Sequence, residues 1–333
     1  MDISFSAIAR KSMVIQPQGR FIDLFCGIGG FHAATVSFGY ECVFASDIDA
    51  ECRKAYSHNY GLVPRGDIHA IVDKSTIPDH ELLCAGFPCQ PFSIIGHRKG
   101  FDDIRGTLFF QIVEVLKAKR PPTFLLENVK QLVGHDGGRT LRQIMNVLDD
   151  IGYHAAYKVL NALDFGIPQK RERVLIVGFS VEDAFHRFKW PSGGFPMRPL
   201  SDILEDDPDP KHFASKRIRA SRKERHKSRY KPGIWHENKS GNITSYPYSC
   251  ALRAGASHNY LLVDGERRLT AREMLRLQGF PDSFDIVCSE SQTRKQVGNS
   301  VPVPMVAVAI KEILNAQQEA EAARTQANKA VNA

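Results

Sequence analysis

The chain has 333 residues, of which 43% are hydrophobic and 24% are charged. These proportions are typical of soluble globular proteins and argue against disordered or fibrous classes. The length allows one large domain and a smaller one, each with its own core. The formal net charge of +7 suggests an anionic partner, although charge alone does not identify one.

Apolar runs and cysteines limit where the protein is expected to work. We find no run that reaches the roughly 18 to 20 apolar residues of a membrane span, and the N-terminus lacks the features of a secretory signal. The seven cysteines are an odd number without a CxxC pair, so they indicate no disulfide framework. We therefore expect a cytoplasmic, monomeric protein with reduced thiols, no metal centre and no membrane contact.

Apolar runs alternate with amphipathic segments along the first part of the chain. The runs predict buried strands at residues 20–25, 41–46, 81–86, 123–128 and 173–179. The amphipathic segments predict helices at residues 104–119 and 140–151. Strands that alternate with helices imply an α/β fold, in which a largely parallel sheet carries helices on both faces. Ligands of such sheets bind at the carboxyl ends of the strands.

The composition changes from Trp190 onwards, where Pro, Gly, Ser and charged residues become frequent. We predict a first domain over residues 1–188 and a smaller second domain over residues 189–293. The apolar pattern within residues 294–333 predicts a helix that packs back on the first domain and completes it. From Gln317 the polar sequence predicts a fraying helix followed by disorder.

A glycine-rich loop with the sequence DLFCGIGG follows the first predicted strand, at residues 23–30. Glycines let the backbone approach a ligand, and the amides of the next helix point towards it. The dinucleotide fingerprint would need Gly or Ala in place of His32, which disfavours a nicotinamide cofactor. Asp47 ends the second strand, where ribose hydroxyls are bound in such folds, and Asp67 is a candidate for an adenine amino group. The alternative for each carboxylate is that it caps a turn.

Reactive side chains are expected at the same edge of the sheet. Cys89 stands between two prolines in a loop after the strand at residues 81–86, which is a suitable place for a reactive thiol. Cys26, Cys42, Cys52 and Cys84 lie in or beside apolar runs and are interpreted as small buried residues. Glu127 ends the next strand. Gln169, Arg171 and Arg173 alternate along an extended segment, so they are predicted to share one face.

Six sequence blocks occur in an order that is typical of one enzyme family. They are DLFCGIGG at residues 23–30, GFPCQPFS at 86–93, ENV at 127–129, QKRER at 169–173, RLTARE at 268–273 and QVGNSV at 296–301. The blocks resemble the successive signature motifs of the DNA cytosine-5 methyltransferases, and the compact chain resembles the bacterial restriction-modification enzymes. The resemblance implies a Rossmann-like, S-adenosylmethionine-dependent methyltransferase fold. The domain at residues 189–293 would then recognise the DNA target.

The resemblance also implies a reaction. A methyl group would pass from S-adenosyl-L-methionine to carbon 5 of a cytosine that is flipped out of double-stranded DNA. Cys89 would attack carbon 6, and Glu127 would bind the ring nitrogen N3 and the exocyclic amine. Arg173 would hold the O2 oxygen, and Arg171 beside it would favour the thiolate of Cys89. A restriction endonuclease would be the functional partner of such an enzyme.

Residue by residue, the resemblance implies two further sets of positions. The cofactor would be bound by Phe25, Gly27, Gly30, Asp47, Ile48, Asp67, Ile68, Pro88, Leu108, Asn299 and Val301. DNA would be bound by Ser93, Arg98, Arg105, Gln169, Arg222, Lys223, Arg225 and Leu252. Ile48 departs from the aromatic residue that some family members place over the adenine. Ten Lys or Arg between Lys211 and Lys231 form a basic run with a single acid, which is suited to phosphates.

Three alternatives remain at the level of sequence. An RNA cytosine methyltransferase of the same family would carry a Cys-Phe-Thr triplet in its recognition segment, and this chain has none. A catalytically silent DNA-binding relative would have lost some of the catalytic residues, and here all four are present. A nicotinamide oxidoreductase is disfavoured by His32.

Overall fold

The computed structural model of the protein describes residues 18–88, 108–256 and 259–331. Within these ranges the chain forms a larger part around one central sheet and a smaller part built mainly from residues 200–290. Four predicted site residues lie outside the described residues: Cys89, Ser93, Arg98 and Arg105.

The larger part is built on a six-stranded sheet. The first seven strands of the chain are β1 (Gly19–Leu24), β2 (Tyr40–Ser46), β3 (Leu82–Gly86), β4 (Thr123–Val129), β5 (His154–Asn161), β6 (Gln169–Lys170) and β7 (Glu172–Phe179). The order in the sheet is β2–β1–β3–β4–β7–β5, with β6 outside it. The first four strands in that order are parallel, and β7 runs antiparallel to both of its neighbours. All five predicted strands are confirmed. β5 was not predicted because its side chains are mostly half-buried and form no continuous apolar run.

Helices connect these strands and cover the sheet. They are α1 (Gly30–Thr35), α2 (Ala50–Tyr60), α3 (Leu108–Lys119), α4 (Gln131–Gly134), α5 (Arg139–Asp150) and α6 (Glu182–Arg187). α2 begins after Asp49, whose side chain accepts hydrogen bonds from two amides of the first turn, and it ends at Gly61 in the left-handed conformation. The two predicted helices are confirmed within the described residues, and residues 104–107 lie outside them.

Successive side chains of a strand point to opposite faces of the sheet, and each face is covered by its own apolar layer. Phe21 packs in one layer with α1 and with α10 (Val303–Val331), and Ile22 packs in the other with α3 and α5. The predicted return of the C-terminal helix to the first part is confirmed. The helix predicted to continue past Gln317 is confirmed, and it extends to Val331 without the disorder that was expected to follow it within this range. No membrane-spanning segment was expected, yet the stretch Glu290–Ala330 is long and apolar enough to cross a membrane. Of its most apolar 18 residues, 67% are buried inside the protein, as in the core helix of a soluble protein.

The smaller part contains the remaining elements. They are β8 (Ile234–Glu237), β9 (Ile243–Tyr246), β10 (Ser249–Cys250), β11 (Leu261–Val263), α7 (Lys216–Arg225), α8 (Ala271–Gln278) and α9 (Glu290–Asn299). β11, β8 and β9 form an antiparallel sheet, whereas β10 pairs in parallel with β6 of the larger part. One apolar cluster contains Phe21 of the larger part and Leu275 of the smaller part. The two parts therefore share a core, and the predicted domain boundaries stay a prediction.

Candidate active site and cofactor loop

The loop between β1 and α1 turns through residues in the left-handed conformation. Phe25, Gly27 and Gly29 have φ angles of 57°, 54° and 83°. A Cβ atom on Gly29 would lie 2.2 Å from the Tyr60 ring, so only glycine fits at this position. A Cβ atom on Gly27 would meet no atom within 4 Å. The backbone at Gly27 therefore faces open space that a ligand can approach.

Asp47, directly after β2, holds this loop in place. Its Oδ2 accepts a hydrogen bond from the Gly27 amide at 2.8 Å, and its Oδ1 accepts one from the Asp49 amide at 2.8 Å. Burial raises the pKa of Asp47, and these two hydrogen bonds oppose the rise. The neighbouring Ile48 is 74% exposed. A carboxylate and an exposed apolar side chain thus lie together beside the glycine loop.

Asp67 has one of the two roles that the sequence left open, the capping of a turn. Its side chain caps a short 3-10 turn by accepting a hydrogen bond from the His69 amide, and it also pairs with the His69 ring. The capping role is therefore confirmed. Because the side chain remains 42% exposed, its carboxylate is also accessible to a ligand. The other predicted cofactor residues differ in burial: Ile68 and Val301 are buried, Leu108 is half-buried, and Pro88 and Asn299 are exposed.

Val301 brings the C-terminal segment against the glycine loop and β3. A Cβ atom on Gly30 would lie 2.7 Å from Val301 Cγ2, so the two segments are in close contact. A Cβ atom on Gly86, at the end of β3, would lie 3.9 Å from Val301 Cγ1 and 3.7 Å from Glu127 Oε2. The glycine loop, the end of β3 and Glu127 therefore border one another, just before the segment that contains Cys89.

Glu127 and Arg173 form an ion pair at the carboxyl edge of the parallel strands. Glu127 lies near the end of β4, and Arg173 lies near the start of the antiparallel β7, so both side chains reach the same edge. Arg173 Nε lies 2.7 Å from Glu127 Oε1, and the two side chains are 13% and 9% exposed. Burial raises the pKa of Glu127, and the positive charges of Arg173 and Arg171 oppose the rise. This carboxyl group accepts a proton more readily than an exposed glutamate does.

Asn128 fixes the chain that leads to Cys89. Its Nδ2 donates to the Phe87 carbonyl at 2.8 Å, and its Oδ1 accepts from the Val129 amide at 2.8 Å. The residue is 2% exposed, so water does not compete for these bonds. Asn128 was not among the predicted site residues. Its position directly after Glu127 was the signal that could have identified it.

Gln169 and Leu252 are buried, which was not expected of residues that contact DNA, and the contacts predicted for them stay a prediction. Gln169 is 0% exposed, and its Oε1 accepts a hydrogen bond from the Leu252 amide at 3.0 Å. Its Nε2 donates to the Leu277 carbonyl at 2.7 Å. Leu252 is 4% exposed and belongs to the shared apolar core. In this structure both side chains are therefore bonded or packed inside the protein.

Arg171 is also buried, at 1% exposure. Its guanidinium donates to the carbonyls of Leu252 at 2.9 Å, Gly298 at 3.0 Å and Ser300 at 2.7 Å. Burial lowers the pKa of Arg171 to about 9, so the side chain remains charged at neutral pH. Its predicted role beside the thiolate of Cys89 stays a prediction, because Cys89 lies outside the described residues.

Four basic residues of α7 pair with two acids of the smaller part: Arg219 and Lys223 with Glu266, and Arg222 and Arg225 with Glu237. Arg222 is 2% exposed and its Nη2 lies 2.6 Å from Glu237 Oε2, so its side chain is directed towards this acid; its predicted contact with DNA stays a prediction. Lys223 and Arg225 are exposed. Both acids follow the run in the sequence, which explains why its charge appeared unbalanced within the run.

The six cysteines that the structure describes are all free: Cys26, Cys42, Cys52, Cys84, Cys250 and Cys288. Burial is the largest cause of a raised thiol pKa in each of them. A raised pKa disfavours the thiolate, which is the nucleophilic form. Cys26, Cys52 and Cys84 are buried as predicted, whereas Cys42 is half-buried.

Asp23, in β1, makes the stability of the protein dependent on pH. Burial raises its pKa well above the usual 3.8, with a further contribution from Asp47. Above 3.8 the unfolded chain has lost this proton while the folded protein keeps it, so the free energy of unfolding should fall as pH rises towards the folded pKa. The fall from this group is up to about 1 kcal/mol per pH unit.

Asp23→Asn should remove that contribution. We expect denaturant unfolding over a series of pH values to show a shallower decline for the variant than for the natural protein. Identical pH dependence in the two proteins would contradict a raised pKa at Asp23.

Most of the chain matches a single protein family. Residues 19–315 fit the family model of the C-5 cytosine-specific DNA methylases. The chain belongs to this family. The methylase is 54% identical over 288 residues to the Type II methyltransferase M.NgoBI of Neisseria gonorrhoeae, covering 86% of this chain and 90% of that protein. It is 52% identical over 297 residues to the Type II methyltransferase M.HaeII of Haemophilus aegyptius, covering 88% and 92%.

Solved structures share the fold of this methylase. The crystal structure of the S. pombe Dnmt2 methyltransferase aligns with a TM-score of 0.65, over 90% of this chain and 99% of that one. The sequence identity is 24%, so this likeness shows the fold alone. The predicted Rossmann-like methyltransferase fold is confirmed. Membership of the family also excludes the nicotinamide oxidoreductase alternative.

Proposed function

We propose that this DNA methylase transfers the methyl group of S-adenosyl-L-methionine to carbon 5 of a cytosine flipped out of a specific double-stranded sequence. The observation that carries the proposal is the buried pair of Glu127 and Arg173, 2.7 Å apart at the edge of the sheet where ligands bind. A glutamate can bind the N3 and amine edge of cytosine, and an arginine can donate to its O2 oxygen. The pair therefore offers one cytosine the complementary donors and acceptors.

The residues of the glycine loop fit S-adenosyl-L-methionine. Open backbone at Gly27 leaves room for a ligand, and the carboxylates of Asp47 and Asp67 can accept hydrogen bonds from ribose hydroxyls and an adenine amine. The exposed Ile48 offers an apolar surface for a ring. When bound, the cofactor would supply the electrophilic methyl group. With Ile48 we expect the protein to bind the cofactor more weakly than it would with an aromatic residue at this position.

In the proposed reaction, Cys89, Glu127 and Arg173 each have one role. The thiolate of Cys89 forms a bond to carbon 6 of cytosine, while Glu127 gives a proton to N3 and the ring becomes electron-rich at carbon 5. Arg173 holds the O2 oxygen and keeps the carboxyl of Glu127 in position. After carbon 5 has been methylated, its proton leaves to a base, the bond between sulfur and carbon 6 breaks, and the aromatic ring is restored.

The domain prediction fits this proposal. Residues 1–188 and 294–333 would form the catalytic and cofactor-binding domain, and residues 189–293 would form the target-recognition domain. The smaller part lies against the edge of the larger one through β10 and β6, near Arg171 and Arg173. Flipping a base out of the duplex costs a few kcal/mol, which contacts with DNA from both domains would offset.

Phosphate contacts are expected from basic residues that lack an acidic partner. Lys227 and Lys231 are exposed, and the structure pairs neither with a carboxylate of the described residues, in contrast to Lys223 and Arg225. Changing Lys227 and Lys231 to Gln should lower the slope of log affinity against log salt by about 0.9 for each phosphate that is no longer neutralised. DNA affinity measured at several salt concentrations gives this slope.

The double change Lys223→Gln and Arg225→Gln is the matched control. Because both side chains already pair with glutamates, this variant should change the slope less than the Lys227 and Lys231 variant does. A larger effect in the control than in the Lys227 and Lys231 variant would contradict the assignment.

The Type II names of the two relatives support a place in a cytoplasmic restriction-modification system, as the partner of an endonuclease with the same target. Bisulfite sequencing of DNA from a host that carries the gene tests the whole proposal. We expect cytosines at one defined sequence to be protected from bisulfite conversion in this host. In a host that lacks the gene, no cytosine at that sequence should be protected. Equal conversion in both hosts would refute cytosine methylation of DNA.

A further inference from the structure

Three arginines from separate segments of the described chain line one pocket of the smaller part. They are Arg253, which follows β10, Arg268, which precedes α8, and Arg294 of α9. We call this the arginine pocket. Guanidinium groups are positively charged at neutral pH, and a cleft lined by charges of one sign attracts ions of the other. An anion in this pocket would be attracted by positive charge from three segments of the chain.

The guanidinium groups of Arg253 and Arg294 have donors left for a ligand. Arg268, in contrast, donates to the main-chain carbonyls of Lys211 and His212. In the part of the chain that the structure describes, neither Arg253 nor Arg294 pairs with a carboxylate. Arg294 Nε is buried and has no hydrogen-bond partner among these residues. A buried donor without an acceptor destabilises the protein, and a bound anion would supply the acceptor.

One acid, Glu290, lines the pocket among the described residues. Its Oε1 lies 3.3 Å from Nδ1 of His212, which is buried. Three arginines and one glutamate leave this lining with more positive than negative charge. The ligand that fits such a lining is an anion with several acceptor oxygens.

Tyr260 orients Arg253 at the pocket. The guanidinium carbon of Arg253 lies 4.7 Å from the centre of the Tyr260 ring, and the Arg253 amide donates to the Tyr260 hydroxyl at 3.1 Å. The same hydroxyl donates to the Ala251 carbonyl at 3.3 Å. Arg253 is exposed, whereas Arg268 and Arg294 are half-buried. A ligand can therefore reach the pocket from the side of Arg253.

Close backbone packing brings Arg294 to the segment of Arg253. Gly298 lies four residues after Arg294, so the two share one face of α9. A Cβ atom on Gly298 would lie 2.5 Å from the Ala254 amide nitrogen and 2.8 Å from the Arg253 carbonyl carbon. Only glycine allows this approach. The face of α9 that carries Arg294 is therefore turned towards residues 253 and 254.

We propose that the arginine pocket binds one phosphate group of the DNA backbone, with Arg253 and Arg294 as the donors. The inference rests on the function proposed above, because DNA is the phosphate-bearing substrate of that reaction. A phosphodiester has two free oxygens, and arginine donates to such oxygens in pairs. Phosphate contacts fix the position of a protein on the duplex, so this contact would hold residues 249–254 at the target.

The variants Arg253→Gln, Arg294→Gln and the double change test whether both side chains bind the same phosphate. We expect each single change to weaken DNA binding at least about tenfold, because a hydrogen bond between charged groups is lost. The loss in the double variant should be smaller than the product of the two single losses, since both donors serve one phosphate. The slope of log affinity against log salt should fall by about 0.9 in the double variant.

DNA affinity at several salt concentrations gives both quantities, with a duplex that contains the sequence found by bisulfite sequencing. A slope that falls by about 1.8, or single losses that multiply, would show that Arg253 and Arg294 act independently and would overturn the shared phosphate.

Duplexes in which one phosphate at a time is replaced by an uncharged methylphosphonate identify the phosphate. The natural protein should lose affinity at a position where the double variant loses none. Arg187→Gln is the matched control, because it removes an arginine that pairs with Asp183 on α6 of the larger part. The control should match the natural protein at every position. A double variant that is as sensitive as the natural protein at every position would refute phosphate binding by the pocket.

Inorganic pyrophosphate separates DNA from a free anion as the occupant. Without DNA and at constant ionic strength, pyrophosphate should raise the melting temperature of the natural protein no more than that of the double variant. A larger rise for the natural protein would identify a free phosphate compound as the ligand and overturn the proposal. A natural protein that binds the duplex as its variants do refutes this inference only, whereas one that binds no duplex refutes the proposed function as well.

Discussion

DNA with 5-fluorocytosine at the target position should trap the natural protein as a covalent adduct, and it should not trap Cys89→Ala. If carbon 6 is attacked first and the proton on carbon 5 leaves last, fluorine at carbon 5 cannot leave as a cation, and the reaction stops as an adduct. The adduct should require S-adenosyl-L-methionine and carry the transferred methyl group. A denaturing gel separates it from free protein.

Removal of the nucleophile should abolish methylation almost completely. We expect methylation by Cys89→Ala to fall by at least roughly a thousandfold, as is common when a covalent nucleophile is removed. DNA binding should remain, because phosphate contacts and base recognition use other residues.

Cys288→Ala is the control for a non-specific thiol effect. Cys288 is half-buried, and burial raises the pKa of its thiol, so its removal should leave trapping unchanged. Trapping of Cys89→Ala at the level of the natural protein would show that the nucleophile has been assigned to the wrong residue.

Glu127→Gln should slow methylation by about 100-fold to 10,000-fold, the usual range for the loss of a general acid. The amide can still donate a hydrogen bond to cytosine, but it cannot supply the proton that N3 needs. Because the pKa of Glu127 is raised by burial, the activity of the natural protein should fall on the alkaline side of that pKa, where this carboxyl has lost its proton. The Gln variant should lack this alkaline limb in a plot of kcat against pH.

The effect of Arg173 on the pKa of Glu127 predicts the direction in which a variant should shift the pH profile. Its positive charge lowers the pKa of Glu127, so Arg173→Ala should move the alkaline limb to higher pH while reducing kcat. Lys130→Gln is the control, because it removes an exposed ion pair with Glu172 at the same ends of β4 and β7. The control should keep the natural pH profile. A limb that stays in place in Arg173→Ala would argue against Glu127 as the titrating group.

Several features of the site follow from the sequence because they depend on contiguous residues. The glycine loop at residues 23–30 and the strand ends at Asp47 and Glu127 were predicted and are found at one edge of the sheet. The antiparallel direction of β7 was not predicted. This direction places Arg173, near the start of β7, beside Glu127, near the end of β4.

The placements that the sequence did not indicate concern residues whose partners are not their neighbours in the chain. Gln169 was predicted to face DNA, yet it binds the main chain of Leu252 and Leu277. Arg222 was predicted to bind phosphate, yet it is buried against Glu237. In both cases the sequence shows a polar or charged side chain and gives no indication of what covers it.

By itself, then, the sequence determined the α/β fold, the order of the strands along the chain and the motifs of the methylase family. These features follow from hydrophobic periodicity and from short motifs that fold locally. Only the tertiary structure decided which charged groups are compensated, which polar groups are buried and how Leu252 is joined to Ser300 through Arg171. Hydrogen bonds and ion pairs reach only a few ångströms, so their partners are set by the packing of segments that are distant in the chain.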